Sequence, residues 1–213
     1  MPVHAVEISS RSVTVAILAG GMSTRFGSDK ALAIVPGGTG TFLGRAVSMG
    51  NAVADRVLII ASDRPTYAQY GAELVPDGFP GEGPAGAVVT ALNATHTTYL
   101  VVLSCDQPMI ARRDLRALLV ALQTRSAAAF SDDGNSIQPL PCAFDVARCR
   151  EIANDAFATG TRSLSALLTS CKVGLIDFAD SGDALNRMFD VDTPEDHERV
   201  SERIYRRCED ESQ

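Results

Sequence analysis

The sequence lacks the features that mark several common classes of protein. No apolar run is long enough to cross a membrane as a helix, and the amino terminus has neither the basic region nor the apolar stretch of a secretory signal. Asp and Glu number 26 against 19 Lys and Arg, so the chain has no basic excess with which to bind nucleic acid phosphates. We therefore expect a cytoplasmic protein that binds neither membranes nor nucleic acid.

Cysteine and histidine are also few. The 5 cysteines are an odd number and include no C-x-x-C pair, which argues against a disulfide framework and against a zinc site. Cys105 follows an apolar segment and is interpreted as a small buried hydrophobic residue. The 3 histidines have no partners at metal-ligand spacing, so we interpret them as surface residues.

What the sequence does contain is an alternation of short apolar segments and helical patterns. Strands or extended segments are predicted at Val13–Leu18, Arg56–Ala61, Glu73–Val75, Tyr99–Ser104, Ala127–Phe130, Ser136–Phe144 (broken by prolines) and Val173–Phe178. Helices are predicted at Phe42–Val53, Pro65–Tyr70, Ala85–Asn93, Arg112–Gln123, Val146–Ala158, Thr161–Thr169 and from Thr193 to about Arg206, with a loop from Gly78 to Gly86. This pattern predicts an α/β fold with a mostly parallel sheet covered on both faces. At 213 residues we expect one domain, with a core over 12–201 and extensions at 1–11 and 207–213.

The loop after the first strand is the most informative segment. The strand ends at Gly20-Gly21, and Arg25 and Lys30 follow in the same loop. Glycines let a backbone approach a ligand closely, and successive backbone N–H groups form a concavity that binds anions. The spacing fits neither the P-loop nor the dinucleotide fingerprint. The loop therefore predicts a triphosphate site of another kind at the carboxyl end of the first strand.

Two aspartates follow other strands. Asp106 comes after Tyr99–Ser104 and is predicted to bind Mg2+, which takes one or two carboxylates together with substrate phosphate oxygens; the alternative is a helix-capping role. Asp77 is predicted to accept hydrogen bonds from a base or ribose, or else to be a turn residue before Gly78. Because ligands of open parallel sheets bind outside the carboxyl ends of the strands, both aspartates are expected beside the glycine loop.

The segment Leu18–Lys30 resembles the signature L-A-G-G-x-S-x-R-x-G-x-D-K of molybdenum cofactor guanylyltransferases. Further blocks resemble the family in the same order, namely Val75-Pro76-Asp77 with Gly83-Pro84, Leu103–Pro108, Gln138–Leu140, Thr161–Leu164 and Phe189–Asp196. The resemblance extends from Ser12 to about Ser201. It implies a Rossmann-like three-layer sandwich of the nucleotide-diphospho-sugar transferase type.

The resemblance also implies an activity, because the family transfers GMP from GTP to the terminal phosphate of Mo-molybdopterin and releases pyrophosphate. It implies that Arg25, Lys30 and Asp106 are catalytic and that Asp106 binds Mg2+. The nucleotide contacts that it implies are Leu18, Ala19, Gly20, Gly21, Lys30, Asp77 and Asp106. No protein nucleophile is required, since a substrate phosphate attacks and the protein has to supply positioning and charge neutralisation. Transient contacts with molybdoenzymes or other cofactor-biosynthesis proteins are expected.

Three departures from the family pattern leave alternatives open. Ala61 stands where the family often has Asn, and Ala85 stands where it has a large apolar residue. Asp190 and Asp192 stand where guanylyltransferases commonly have Asn, and in this they resemble cytidylyltransferases of the same cofactor. The first block, Ala-Gly-Gly, favours guanine. The alternatives are therefore a cytidylyltransferase or another small-molecule nucleotidyltransferase, and a nucleotide-binding module without turnover.

Overall fold

A computed structural model describes residues 12–21, 29–35, 38, 40–131, 134–177, 190–191, 193, 195–196, 198 and 200. The strands are β1 (Val13–Leu18), β2 (Arg56–Ala61), β3 (Glu73–Pro76), β4 (Tyr99–Ser104), β5 (Ala127–Ser131), β6 (Gln138–Asp145) and β7 (Val173–Asp177). The α-helices are α1 (Phe42–Asn51), α2 (Gly83–Ala94), α3 (Arg112–Ala121), α4 (Val146–Ala158) and α5 (Leu164–Ser170). Short 3-10 helices span Lys30–Leu32 and Pro65–Tyr70. No helix of this described part is long and apolar enough to cross a membrane.

The strands form one 7-stranded sheet in the order β3-β2-β1-β4-β6-β5-β7. The pairs among β1 to β4 are parallel, and β5 pairs with β7 in parallel, whereas β6 is antiparallel to both its neighbours. Alternate residues of β1 enter two cores on opposite faces of the sheet. Helices α1 and α3 cover one face, and α2, α4 and α5 cover the other. The predicted three-layer α/β fold with a mostly parallel sheet is confirmed.

Strand β6 departs from the expectation of an extended segment merely broken by prolines. Cys142, Ala143 and Phe144 pair with β4 on one side and with β5 on the other. Pro139 and Pro141 lie between Gln138 and Cys142, where the register of the pairing with β5 shifts. Proline has no N–H to donate to a strand ladder, so it is tolerated at such an irregularity. The segment is therefore a central strand, inserted antiparallel.

Several helix ends differ from the prediction. Helix α2 begins at Gly83 rather than Ala85, because Pro84 fits the first turn of a helix, where its missing N–H costs nothing. Helix α5 begins at Leu164 rather than Thr161, since Gly160 has a φ of +106° and ends the helical path after α4. Helices α1 and α3 stop at Asn51 and Ala121, short of the predicted ends.

The predicted start of the final helix is present. The Thr193 N–H donates to Asp196 Oδ2 at 3.0 Å, and the Asp196 N–H donates to Thr193 Oγ1 at 3.1 Å. This reciprocal pair satisfies backbone donors at the start of a helix, and Glu195, Asp196, Glu198 and Val200 have helical backbone. The predicted end near Arg206 and the extensions at 1–11 and 207–213 lie outside the described residues.

Candidate active site

The carboxyl ends of the parallel strands open into a cleft of about 900 Å³. The cleft brings together the predicted site residues that the structure describes, namely Leu18, Ala19, Gly20, Gly21, Lys30, Asp77 and Asp106. Arg25 and Asp192 lie outside the described residues, so the role of Arg25 stays a prediction. Ser62, which directly follows Ala61 at the end of β2, also lines the cleft. These residues come from separate strands and meet because those strands end at one edge of the sheet.

The floor of the cleft is formed by the ends of β1, β2 and β4. The Ala19 N–H donates to Ile60 O at 3.0 Å, and the Cys105 N–H donates to Leu18 O at 3.4 Å. These bonds extend the sheet past β1, and the backbone becomes exposed only at Gly20. A Cβ built on Gly20 would lie 3.9 Å from Asp77 Oδ2. The glycine backbone and the Asp77 carboxylate therefore face each other across the floor of the cleft.

Lys30 and Asp106 form an ion pair on this floor. Lys30 Nζ lies 2.8 Å from Asp106 Oδ2, and their side chains are only 11% and 18% exposed. The Ser104 hydroxyl donates to the other carboxylate oxygen, Oδ1. A part-buried pair of this kind is less screened by solvent than a surface pair. The arrangement concentrates a cation and a carboxylate at the point where the loop after β1 meets the end of β4.

The backbone of Asp106 brings a second acidic residue to the cleft. The Val191 N–H donates to Asp106 O at 3.0 Å, and Asp190, next to Val191, lines the cleft.

Burial and the negative charge of Asp106 raise the pKa of the neighbouring Cys105 thiol to about 12. Cys105 is buried, as predicted, and at neutral pH it is a protonated thiol rather than a nucleophile.

Asp29, for which the sequence predicted no role, fixes the turn that carries Lys30. The Tyr67 hydroxyl donates to both Asp29 carboxylate oxygens at 2.9 Å, and the Ala31 N–H donates to Oδ1 at 3.2 Å. Arg64 Nε lies 3.8 Å from Asp29 Oδ2. Burial and the adjacent carboxylate raise the pKa of Tyr67 well above its ordinary value, so its proton stays available for donation. The position of Asp29 directly before Lys30 was the available signal, whereas nothing local distinguishes Tyr67.

The contacts of Asp77 are compatible with both roles that the sequence predicted for it. Its Oδ1 accepts hydrogen bonds from the Phe79 N–H at 2.9 Å and from Thr90 Oγ1 at 3.2 Å, which is the turn role. Its Oδ2 accepts no hydrogen bond from any residue that the structure describes. Because Asp77 lines the cleft, one carboxylate oxygen organises the turn while the other remains available to a ligand.

Among the described residues, the acidic side chains of the cleft do not enclose a metal ion by themselves. The described residues contain no group of three or more His, Cys, Asp or Glu side chains that would enclose a metal ion. Mg2+ needs no such enclosure, because it keeps several waters and combines one or two carboxylates with substrate phosphate oxygens. Asp106, with Asp190 beside it, matches that donor set.

Comparisons with known proteins agree with this geometry. Residues 15–173 match the family described as MobA-like NTP transferase domain. The molybdenum cofactor guanylyltransferase of Shewanella frigidimarina is 30% identical over 198 residues, which cover 90% of this chain and 97% of that protein. That of Shewanella piezotolerans is 28% identical, over 91% and 94% of the two chains.

A solved structure shows the same fold. The crystal structure of molybdopterin-guanine dinucleotide biosynthesis protein A from Archaeoglobus fulgidus superposes with a TM-score of 0.74 at 20% identity, over 91% of this chain and 99% of that one. The fold, the matched residues and the full-length relatives point the same way. The chain belongs to the MobA-like NTP transferase family, as the glycine loop and the blocks that follow it predicted.

Proposed function

We propose that this protein is a molybdenum cofactor guanylyltransferase, which transfers GMP from GTP to the terminal phosphate of Mo-molybdopterin and releases pyrophosphate. The observation that carries the proposal is the Lys30–Asp106 pair, at 2.8 Å, on the floor of the cleft at the ends of β1 and β4. Relatives that match nearly the whole chain are named molybdenum cofactor guanylyltransferases, which supports the same activity.

The cleft divides naturally between two substrates. Gly20, Gly21 and Asp77 lie over β1 to β3 and would bind the nucleotide, whereas the other end of the cleft, toward β6, would bind the acceptor. There the Gln107 side chain donates to Leu140 O at 3.1 Å and joins the end of β4 to β6. Substrates bound side by side in this way can react in line, which is the main requirement of phosphoryl-group transfer.

In the proposed reaction an oxygen of the acceptor's terminal phosphate attacks the α-phosphorus of GTP. The bond between the α-phosphorus and the bridging oxygen breaks, and that oxygen leaves with its electron pair as part of pyrophosphate. The protein forms no covalent bond with either substrate, in keeping with the protonated state of Cys105. Its part is to hold the phosphates and to neutralise the charge that moves onto the leaving group.

Lys30 is proposed to neutralise that charge, together with Arg25. In the structure its ammonium group is held by Asp106, and Asp29 and Tyr67 fix the turn beneath it. Asp106, with Asp190 beside it, would hold Mg2+, which supplies positive charge to the phosphates when it is bound. The Lys30 ammonium, which Asp106 holds at the floor of the cleft, would contact phosphate oxygens of the bound nucleotide.

One observation favours cytidylyl transfer as the second candidate. Asp190, which resembles the cytidylyltransferase pattern, lines the cleft close to Asp106. Against this, the free Oδ2 of Asp77 suits a base with adjacent donors. The N1–H and amino group of guanine offer two donors, whereas cytosine offers only its amino group.

The test is the release of pyrophosphate by the purified protein with GTP and Mo-molybdopterin. We expect release that requires both the acceptor and Mg2+, that stops with a chelator and that returns when Mg2+ is restored. Binding of GTP without release of pyrophosphate under these conditions would instead identify a nucleotide-binding module. Contacts with recipient molybdoenzymes remain a prediction.

A further inference from the structure

One wall of the cleft is the segment of residues 78–84, which leads from the end of β3 into the first turn of α2 and which we call the cleft loop. Pro80, Gly81, Gly83 and Pro84 of this loop line the cleft and are exposed. Gly81 and Gly83 have φ values of +86° and +71°, in the left-handed region that favours glycine. Ordering a glycine-containing segment costs much conformational entropy. The shape of the cleft loop therefore depends on contacts from outside it.

Arg162 provides such contacts from the connection between α4 and α5. Its Nε lies 2.6 Å from Glu82 Oε2, at the position directly before α2. Its Nη1 donates to Phe157 O at 2.6 Å, in the last turn of α4, where a cation is favoured by the helix dipole. Its guanidinium carbon also lies 4.2 Å from the centre of the Phe157 ring. One guanidinium thus joins the end of α4 to the cleft loop.

Phe79, at the other end of the loop, contacts the same unit. The Phe79 and Phe157 ring centres are 4.6 Å apart, and the Glu82 N–H donates to Phe79 O at 3.1 Å. A Cβ built on Gly86 would lie only 2.8 Å from Phe79 Cβ, so Phe79 packs directly against the backbone of α2. Phe79 therefore contacts Phe157, and Glu82 is paired with Arg162.

We propose that Arg162 is a positioning residue for the nucleotide. Through Glu82 and Phe157 it holds the cleft loop in the shape that lines the nucleotide side of the cleft, next to Asp77. Arg162 itself is not among the described residues that line the cleft, so its effect reaches the substrate only through the loop. The role rests on the proposed function. It predicts an effect on nucleotide binding rather than on the chemical step, because Lys30 and Asp106 are held by other contacts.

The test compares this ion pair with a matched one. Arg56 and Glu73 form a surface pair at 2.9 Å with 29% and 53% exposure, against 46% and 47% for Arg162 and Glu82. They lie at the starts of β2 and β3, at the opposite end of the strands from the cleft. The variants are Glu82→Gln, Arg162→Gln and their double variant, with Glu73→Gln and Arg56→Gln as controls. Loop order is measured as amide hydrogen exchange of residues 78–86.

An exposed ion pair changes an equilibrium constant by up to about fivefold, so KM for GTP should rise about three- to fivefold in Glu82→Gln with kcat within about twofold. In Arg162→Gln the rise should be at least as large, and the double variant should not exceed it, because both changes break one link. Exchange over residues 78–86 should quicken in these variants and stay unchanged in the two controls.

The proposal is overturned if Glu82→Gln and Arg162→Gln keep the wild-type KM for GTP, or if their effects add in full in the double variant. It is also overturned if the control variants Glu73→Gln and Arg56→Gln raise KM and quicken exchange to the same extent. Failure of the proposed function looks different, because wild-type protein would then release no pyrophosphate from GTP and acceptor. In that case calorimetric affinity for GTP and CTP replaces KM, and the exchange of residues 78–86 still decides whether Arg162 orders the loop.

Discussion

Replacing Lys30 with Met should lower turnover far more than it weakens substrate binding. The ammonium group sits 2.8 Å from Asp106 in a side chain that is only 11% exposed, so it is held in place before the substrates arrive. Removing one such preorganised donor typically costs about 10²- to 10³-fold in kcat. We expect KM for GTP to change by less than about threefold, since the charge that Lys30 neutralises develops mainly in the transition state.

The same substitution should leave the protein folded. Asp106 loses its cation but keeps the hydrogen bond from Ser104. Because the pair is part-buried, we expect the free energy of unfolding to fall by about 1–3 kcal/mol, between the values for exposed and for buried pairs. Steady-state pyrophosphate release gives kcat and KM, urea denaturation gives stability, and Arg56→Met is a control that removes a cation far from the cleft. A Lys30→Met protein with unchanged kcat and a raised KM would refute the reasoning, because it would show uniform binding.

Three further predictions follow from the site. Asp106→Asn should lower turnover at limiting Mg2+ at least about 100-fold; near wild-type turnover in a Mg2+ titration would exclude Asp106 as the metal residue. Tyr67→Phe should lower the free energy of unfolding by about 1–2 kcal/mol, because Asp29 loses a buried donor; an unchanged urea midpoint would contradict this. Burial raises the pKa of the Cys105 thiol from 9.0 to about 12, so as pH rises the thiol ionises in the unfolded chain before it ionises in the folded one. Its contribution to the free energy of unfolding should therefore be fully present below pH 9 and be lost as the pH rises toward 12. Cys105→Ala should make the free energy of unfolding, measured by urea denaturation at each pH, fall less steeply over this range. Equal slopes in the variant and the wild type would refute the prediction.

The central strands could be predicted from the sequence because their signal is local. Strands β1, β2 and β4 are short apolar runs bounded by turns, and their observed ends are the predicted ones. Strand β6 was only partly predictable. Its sequence indicates an extended backbone, but the choice between β4 and β5 as neighbours and the antiparallel direction depend on packing far along the chain.

The candidate site shows the same division. Lys30 and Asp106 were expected to meet because both follow strands that end at one edge of a parallel sheet, and they do meet. That they bond to each other directly, with Ser104 on the second carboxylate oxygen, is a matter of side-chain geometry. Tyr67 and Arg162 act on Asp29 and Glu82 from distant parts of the chain. Arg162 lies in the family-like block Thr161–Leu164, but no local pattern indicates that its partner is Glu82, and none distinguishes Tyr67 from other aromatic residues.

Competition between GTP and CTP, with Mo-molybdopterin as acceptor, tests the central claim most directly. Asp77 Oδ2 lines the cleft without a donor among the described residues, and guanine offers two donors where cytosine offers one. A hydrogen bond to a charged group contributes about 1.5–3 kcal/mol, so losing one of the two donors should cost at least the roughly 1.4 kcal/mol that corresponds to a factor of ten. The account predicts at least about a tenfold preference for GTP in kcat/KM. Equal use of the two nucleotides, or a preference for CTP, would contradict it and would make Asp190 and Asp192 the better guide to the base.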